Sequence, residues 1–457
     1  MSRSAVSFFR YFAPALIVII ATVDSGAQPS TTQPLSVNDV SWLFPPPKRV
    51  EDLGNLISMR DLTTPNDQDS TKRDTVWSDE GFHRFLEIAA GQSQVAGTQS
   101  RIGVPDEATS IANWFIAGIR IDAGAPGLSN EIQAQFGQSP EIRLIVQPVK
   151  RNADGTVVVD DVAGHLIFDF TSGHDASSQA DCLPRPKPDA VAFKAIIAEL
   201  DALRTRLSNG QLGANRVSTA SAPLGVHPGL LDSTTAQNLR REMQLFLEKN
   251  ISSRNLDAMA IMGLPAGAPE PWIFLSMQKV PAGVVPALPN GGFVPVAGPT
   301  LDGQQVAQML RAGFSVVPEP HTNNLNAITC KNAAVPPGTS LPIAARNGHS
   351  TSELFANPSL PANSAKDILD LIADPMKSHF FNTDCISCHT ETRRAMTLPQ
   401  TTDFSRINAS VLPNSDWVVR NFGWAPNSEG LRAVVTRRTA NETAAVVDYI
   451  NSQLLNK

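Results

Sequence analysis

Cys385-Ile386-Ser387-Cys388-His389 is the stretch that most constrains this chain. The order C-x-x-C-H is the signature of covalent c-type haem attachment. Two thiols three positions apart can add to the two vinyl groups along one edge of a porphyrin. The next imidazole then sits beneath the ring, where it can take one axial position on the iron. Whatever surrounds these five residues must therefore wall in a large, flat, mostly apolar group. Cysteine is scarce, four in 457 residues, so two of them in this pattern form a specific signal. Two other chemistries use the same spacing. Closed by Cys182 and Cys330, the pair would be a zinc knuckle; beside a βαβ pattern it would be a redox dithiol, but no such pattern surrounds it.

The N-terminus bears on the choice. Met1–Arg10 carries two arginines and no acid, an apolar run follows over Tyr11–Ala21, and Ser25-Gly26-Ala27 closes it. A charged segment, an apolar segment and a small-x-small site make a cleavable export signal over residues 1–27. A spanning helix needs about 20 apolar residues, whereas this run is broken at Pro14 and ends by Asp24. The expectation is a periplasmic or secreted protein with no membrane span after cleavage. Haem of the c type is attached outside the bacterial cytoplasm, so leader and motif agree. In that oxidising compartment Cys182 and Cys330 could form a disulfide or remain as two buried thiols.

Cleavage after Ala27 leaves 430 residues, enough for two or three domains. Removing Arg3, Arg10 and Asp24 takes 37 basic and 43 acidic side chains to 35 and 42, a formal −7 against −6 for the whole chain. That mild acidity gives no support for a nucleic-acid partner. Pro (35) and Gly (29) are plentiful and charged residues make up only 18%, which favours strands and loops over a helical bundle.

Residues 28–47 end in Pro45-Pro46-Pro47 and read as a linker or strap, docked on the body through Trp42-Leu43-Phe44. Asp61–Asp74 reads as a polar loop. Glu80–Ala90 has Phe82, Phe85, Leu86 and Ala89 at helical spacing, with His83 off that stripe on the solvated side. Strands are predicted over Trp114–Ile121, Glu141–Val149, Thr156–Val159 and His165–Phe170, with Ala153-Asp154-Gly155 as a hairpin turn. His165, Asp169, His174 and Asp175 lie close in sequence, but their spacing fits no familiar metal-ligand motif. Asp189 caps a helix over Ala190–Leu207, with Phe193, Ile196, Ile197, Leu200 and Leu203 on one face. Gln237–Lys249 is a second helix and Trp272–Met277 a further strand. Val280–Pro299 and Val316–Pro342 read as long ordered loops, in which His321, like His227 earlier, sits beside a proline in a structural role.

The expected fold class is α+β. A β-rich region over 48–344, antiparallel and sandwich-like, precedes a small mainly α domain over 345–457. Trp114-Phe-Ile and Trp272-Ile-Phe, each entering a strand, suggest that the β-rich region holds two similar sub-units, about 48–182 and 183–344.

Around the motif, residues 345–457 resemble a single-haem, class I-like cytochrome c domain. Ser364–Ala373 is a short capped helix upstream of the motif, and Asn441–Leu455 a final helix with Ala444, Val447, Tyr449 and Ile450 on its apolar side. The resemblance implies that these helices cross and pack on the porphyrin edge. It implies one covalent haem c on Cys385 and Cys388, with His389 as proximal ligand. It also implies a distal Met tens of residues beyond the motif, and here the chain departs: neither Met nor His occurs between Thr397 and Lys457. Met396 leads the candidates, ahead of His379 and His349, with Met376 and the more distant His321 behind. An open position is the remaining choice. Arg393, Arg394 and Arg420 are candidates for pairing the haem propionates, and Phe381, Trp417, Phe422 and Trp424 for the pocket walls.

The first functional expectation is a one-electron carrier with a redox partner protein. An open sixth position would instead make a haem enzyme or a redox or ligand sensor, and a zinc knuckle a binding protein. No hydrolase elbow, phosphate-cradling Gly loop or H-E-x-x-H run is present.

Overall fold

The structure is a computed structural model that describes residues 33–66, 69, 71–92, 104–125, 127–130, 133, 137–160, 162–175, 185–220, 222–263, 273–280, 291–295, 309–311, 314–316, 362–378, 385–398, 402–413, 420–427 and 430–455. The leader, the expected boundary at 344–345, His174 and Asp175 as side chains, and the Cys182, Cys330, His321, His349, His379, Phe381 and Trp417 positions lie outside what is described. Among the described residues, no helix is long and apolar enough to cross a membrane.

An antiparallel sheet forms the frame, as alternation in the first half of the chain predicts. Its strands are β1 (Ser41–Leu43), β2 (Trp114–Asp122), β3 (Glu141–Arg151), β4 (Val157–Val159), β5 (Val162–Asp169), β6 (Leu256–Gly263), β7 (Ile273–Val280) and β8 (Gly292–Pro295). They lie in the order β1-β2-β3-β5-β6-β7-β8, with β4 paired to β3. The β3–β4 turn is the one the sequence predicts. Gly155 takes φ +80°, a conformation that costs glycine little, and Asp154 Oδ1 accepts from the Thr156 amide at 2.9 Å. The strap docks as an edge strand: β1 pairs Trp42 with Ile119 in β2, and Trp42, Leu43 and Phe44 are buried.

Two stretches read as loops contain strands. Gly291 and Gly292, both at positive φ, lead into β8, where Phe293 pairs with Lys279 and is buried. Likewise Thr63–Pro65 pairs with Arg73–Thr75, because β-branched threonines tolerate an extended backbone even in a polar segment.

One face of the sheet is apolar and covered by helix. α1 (Asp79–Gln92) buries Phe82, Phe85 and Ala89. Gly164 in β5 has no Cβ to obstruct Phe85, whose ring would lie 3.3 Å from one. Trp77 and Trp114 meet at 5.7 Å, edge to face, beside it, a geometry that aromatic quadrupoles favour. α2 (Ala190–Ser208) begins where Asp189 Oδ1 accepts from the Ala192 amide at 2.9 Å. It buries Phe193, Ile196, Ile197 and Leu200, and a two-pronged Arg206–Glu242 pair at 2.7 and 2.9 Å joins it to α3 (Ala236–Asn250).

The C-terminal part packs against the opposite, more polar face. It comprises α4 (Ala362–Ala373), α5 (Cys385–Thr397), the hairpin β9 (Phe422–Asn427) and β10 (Gly430–Val435), and α6 (Arg437–Tyr449). Pro34–Lys457 forms one compact unit.

Candidate functional site

The C-x-x-C-H run opens a helix. α5 starts at Cys385, so positions 385, 388 and 389 share one side of its first turn. Cys388 is half-buried and His389 is buried. Spacing alone does not bury a histidine; the helices around α5 do.

α4, α5 and α6 pack on one another, and polar contacts fix their arrangement. Arg437, at the start of α6, donates through Nε to Glu391 Oε1 at 2.8 Å and through Nη1 to Asp370 Oδ1 of α4 at 2.6 Å, while its Nη2 also reaches Glu391. Its amide donates to Thr392 Oγ1 at 2.7 Å, and that hydroxyl donates to Glu391 Oε2 at 2.8 Å. Burial pushes the Glu391 carboxyl above its ordinary range, and the Arg437 charge draws it back only in part. The same attraction holds Arg437 above its usual value despite its own burial. α6 also closes the end of α4. Arg438 Nη1 donates to the Asp374 carbonyl at 3.0 Å and Asn441 Nδ2 to the Ala373 carbonyl at 2.8 Å, so carbonyls left over at a helix C-terminus find donors. The two helices that the resemblance implies are thus tied to the motif helix two and three residues beyond His389.

On the other side lies the polar face of the sheet. Its register sets Gly118, Ile145, His165 and Ala260 in one row across β2, β3, β5 and β6, with Arg120, Arg143, Ile167 and Ala258 in the next. The C-terminal hairpin lies on these rows. Phe422 fills the space a Cβ on Gly118 would need, 2.5 Å from its position. Buried Gln147 holds Trp424 at both backbone atoms, accepting from its amide at 2.8 Å and donating to its carbonyl at 2.9 Å. The Trp424 indole donates to the Phe44 carbonyl at 2.9 Å. Arg120 meets Glu442 of α6 at 3.1 Å. Burial alone would raise that carboxyl, but Arg120, Arg438 and Arg143 hold it down to about 2.

His165 stands in the middle of this face. The residue is half-buried, yet its Nε2 is sealed from solvent and has no hydrogen-bond partner among the described residues. Burial, together with the charges of Arg420 and His389, lowers its pKa to about 3. His389's field acts on His165 only because the motif helix and the sheet bring the two imidazoles into one region. Arg420, fully buried, belongs to it as well: its Cδ and the Ile145 methyl both border Gly423.

The remaining candidates are placed differently. Met396 is on the last turn of α5 and 37% exposed. At 1.5 Å per residue it lies about 10 Å along the axis from His389, on the same helix. Met376 is 48% exposed in the turn after α4. Arg393 and Arg394 are half-buried, Phe422 and Trp424 buried, and His83 exposed. His227 is buried and its Nδ1 accepts from the Gly229 amide at 3.1 Å, a cap at the start of a short helical turn.

Among the described residues, the region around positions 385–389 therefore brings together thiol-bearing positions, a buried imidazole and a buried guanidinium, a donor set that fits a haem and its carboxylates. The sequence reading passed over His165, grouping it with Asp169 and His174 as an unconvincing metal cluster. One signal was available: its strand face otherwise carries Ala163 and Ile167, so a lone histidine interrupts an apolar alternation. No family model, curated protein or solved structure matches the chain.

Proposed function

We propose that this chain is an exported c-type cytochrome that carries one covalent haem and passes single electrons to or from a redox partner protein. The observation that supports it best is the C-x-x-C-H run opening a helix that packs on α4 and α6 and whose histidine is buried. A bound haem would supply a one-electron Fe(III)/Fe(II) couple.

The chain's own residues do the rest. Cys385 and Cys388 would hold the group through two thioether bonds, one to each vinyl-bearing edge position. His389 would hold the iron through its imidazole, on a turn held in place by Glu391 and Thr392 through Arg437. Arg420 is the cation best placed for a propionate, since a buried guanidinium gains most from a carboxylate partner. Phe422 and Trp424 exclude water from the sheet side. The cytochrome c-like arrangement of α4 before the motif and α6 at the end is part of this reading, as are the export signal and a periplasmic or secreted location.

The test is chemical. Protein made in a host competent for haem maturation keeps its porphyrin through acid–acetone extraction and gives the pyridine-haemochrome spectrum of a two-thioether haem, and its mature form begins at Gln28. Extraction that strips the protein of all porphyrin, or metal analysis finding zinc, sinks the proposal.

A further inference from the structure

We propose that Nε2 of His165, on the central sheet strand β5, is the second axial ligand of the haem iron, opposite His389. The inference rests on the haem reading and deepens it.

Three observations carry it. A ring nitrogen sealed from solvent without a partner costs about 1–3 kcal/mol, and buried polar groups are otherwise nearly all paired. His165 Nε2 is such an atom, so a group that accepts a lone pair, or a donor, belongs beside it. The imidazole also stands among side chains that cannot pair with it. Its neighbours on that face of the sheet are Ile145, Ala163, Ile167, Ala258 and Ala260, none of which carries a polar side chain. Finally, the segment between α5 and α6 that covers this face brings Arg420 and Phe422 over the same rows, and the motif helix is close enough for His389 to act electrostatically on His165.

Of the alternatives nearer in sequence, the two described methionines are poorly placed, and His349 and His379 lie outside the described residues. Met396 projects from the solvent end of His389's own helix, and Met376 is exposed. A residue on the same helix two turns away cannot reach the far side of a ring that its own neighbour holds from below, whereas a residue on a facing element can. Coordination transfers no electron: the Nε2 lone pair is donated to the iron in place of a water or other weak ligand, and the ring stays neutral. A ligand from the sheet would also join the N-terminal and C-terminal halves of the chain through one metal.

The experiment uses the full-length, matured protein and two substitutions. The wild type should be low-spin in both oxidation states, lack the near-infrared sulfur-to-iron band and ignore carbon monoxide. His165→Ala should keep its covalent haem, become high-spin, bind carbon monoxide in the ferrous form, and return to low-spin when imidazole is added. His165→Met, which avoids opening a cavity, should gain the sulfur-to-iron band and a higher reduction potential. A sulfur-to-iron band in the wild type, or low-spin carbon-monoxide-resistant spectra in both variants, overturns the proposal. A wild type without covalent haem in the pyridine-haemochrome assay overturns the reading beneath it, a result that the spectra of the variants cannot imitate.

Discussion

His227 shows how much one side chain can do without touching a cofactor. It is buried, caps a turn through Nδ1, and burial holds its pKa down to about 3. In the unfolded chain a histidine takes up a proton below about pH 6.5; folded His227 does not until about 3. Its contribution to stability is therefore complete above pH 6.5 and is lost as the pH falls from 6.5 towards 3, by up to about 1.4 kcal/mol per pH unit. His227→Asn keeps a cap acceptor and removes the titration. Its unfolding free energy, measured by urea titration at pH 7 and pH 5, should fall less on acidification than that of the wild type. Equal slopes would show that His227 is protonated in the fold. At this scale the sequence reading succeeded where chemistry is written in adjacent residues, as in Cys385–His389, and failed where it depends on partners distant in the chain. His165 lies more than two hundred residues before the motif, and Arg420 stood only in a group of three arginines of which the structure buries one. The one local hint, a histidine interrupting an apolar strand face, does not say what that face packs against.

Elements were more legible, because periodicity reports burial directly. The boundaries of α2 and α3, and the run of strands from Trp114 onward, follow their apolar spacing to within a few residues. Elements fixed by long-range polar contacts were not legible. The motif helix α5 has little apolar periodicity; Glu391 and Thr392, polar in sequence, are among its most buried residues because Arg437 waits for them on α6. That pairing predicts an asymmetry. Removing one partner strands a buried charge, a loss of about 3–5 kcal/mol, whereas removing both is far milder. Arg437→Met should therefore lower the denaturation midpoint sharply, and Arg437→Met with Glu391→Gln should recover much of the difference. A double variant as unstable as the single one would mean that Glu391 is neutral in the fold, and that the contact contributes nothing ionic.

The whole molecule is where the sequence said least, since composition shifts and loops mark segments but not the surfaces they share. The C-terminal segment buries Phe422 and Trp424 against β1–β3 and sets Glu442 against Arg120. Expressed alone, residues 345–457 lose these partners and should show no cooperative thermal transition by circular dichroism, while the full chain shows one. A fragment that melts cooperatively would refute this. The chain's two ends are also clasped. The Leu35 amide donates to Asn451 Oδ1 and Asn451 Nδ2 donates to the Leu35 carbonyl, both at 2.9 Å and 416 positions apart in sequence, and Ser41 Oγ meets Thr443 Oγ1 at 3.1 Å. Contacts that span so much chain are slow to form, because loop closure must come before any gain from the contact. A polypeptide made from its N-terminus must hold its first strand in waiting until its last helix arrives. The thiols at 385 and 388 emerge before that moment, so on the proposed haem reading the clasp leaves a kinetic window for loading them, which closes when residue 451 reaches residue 35.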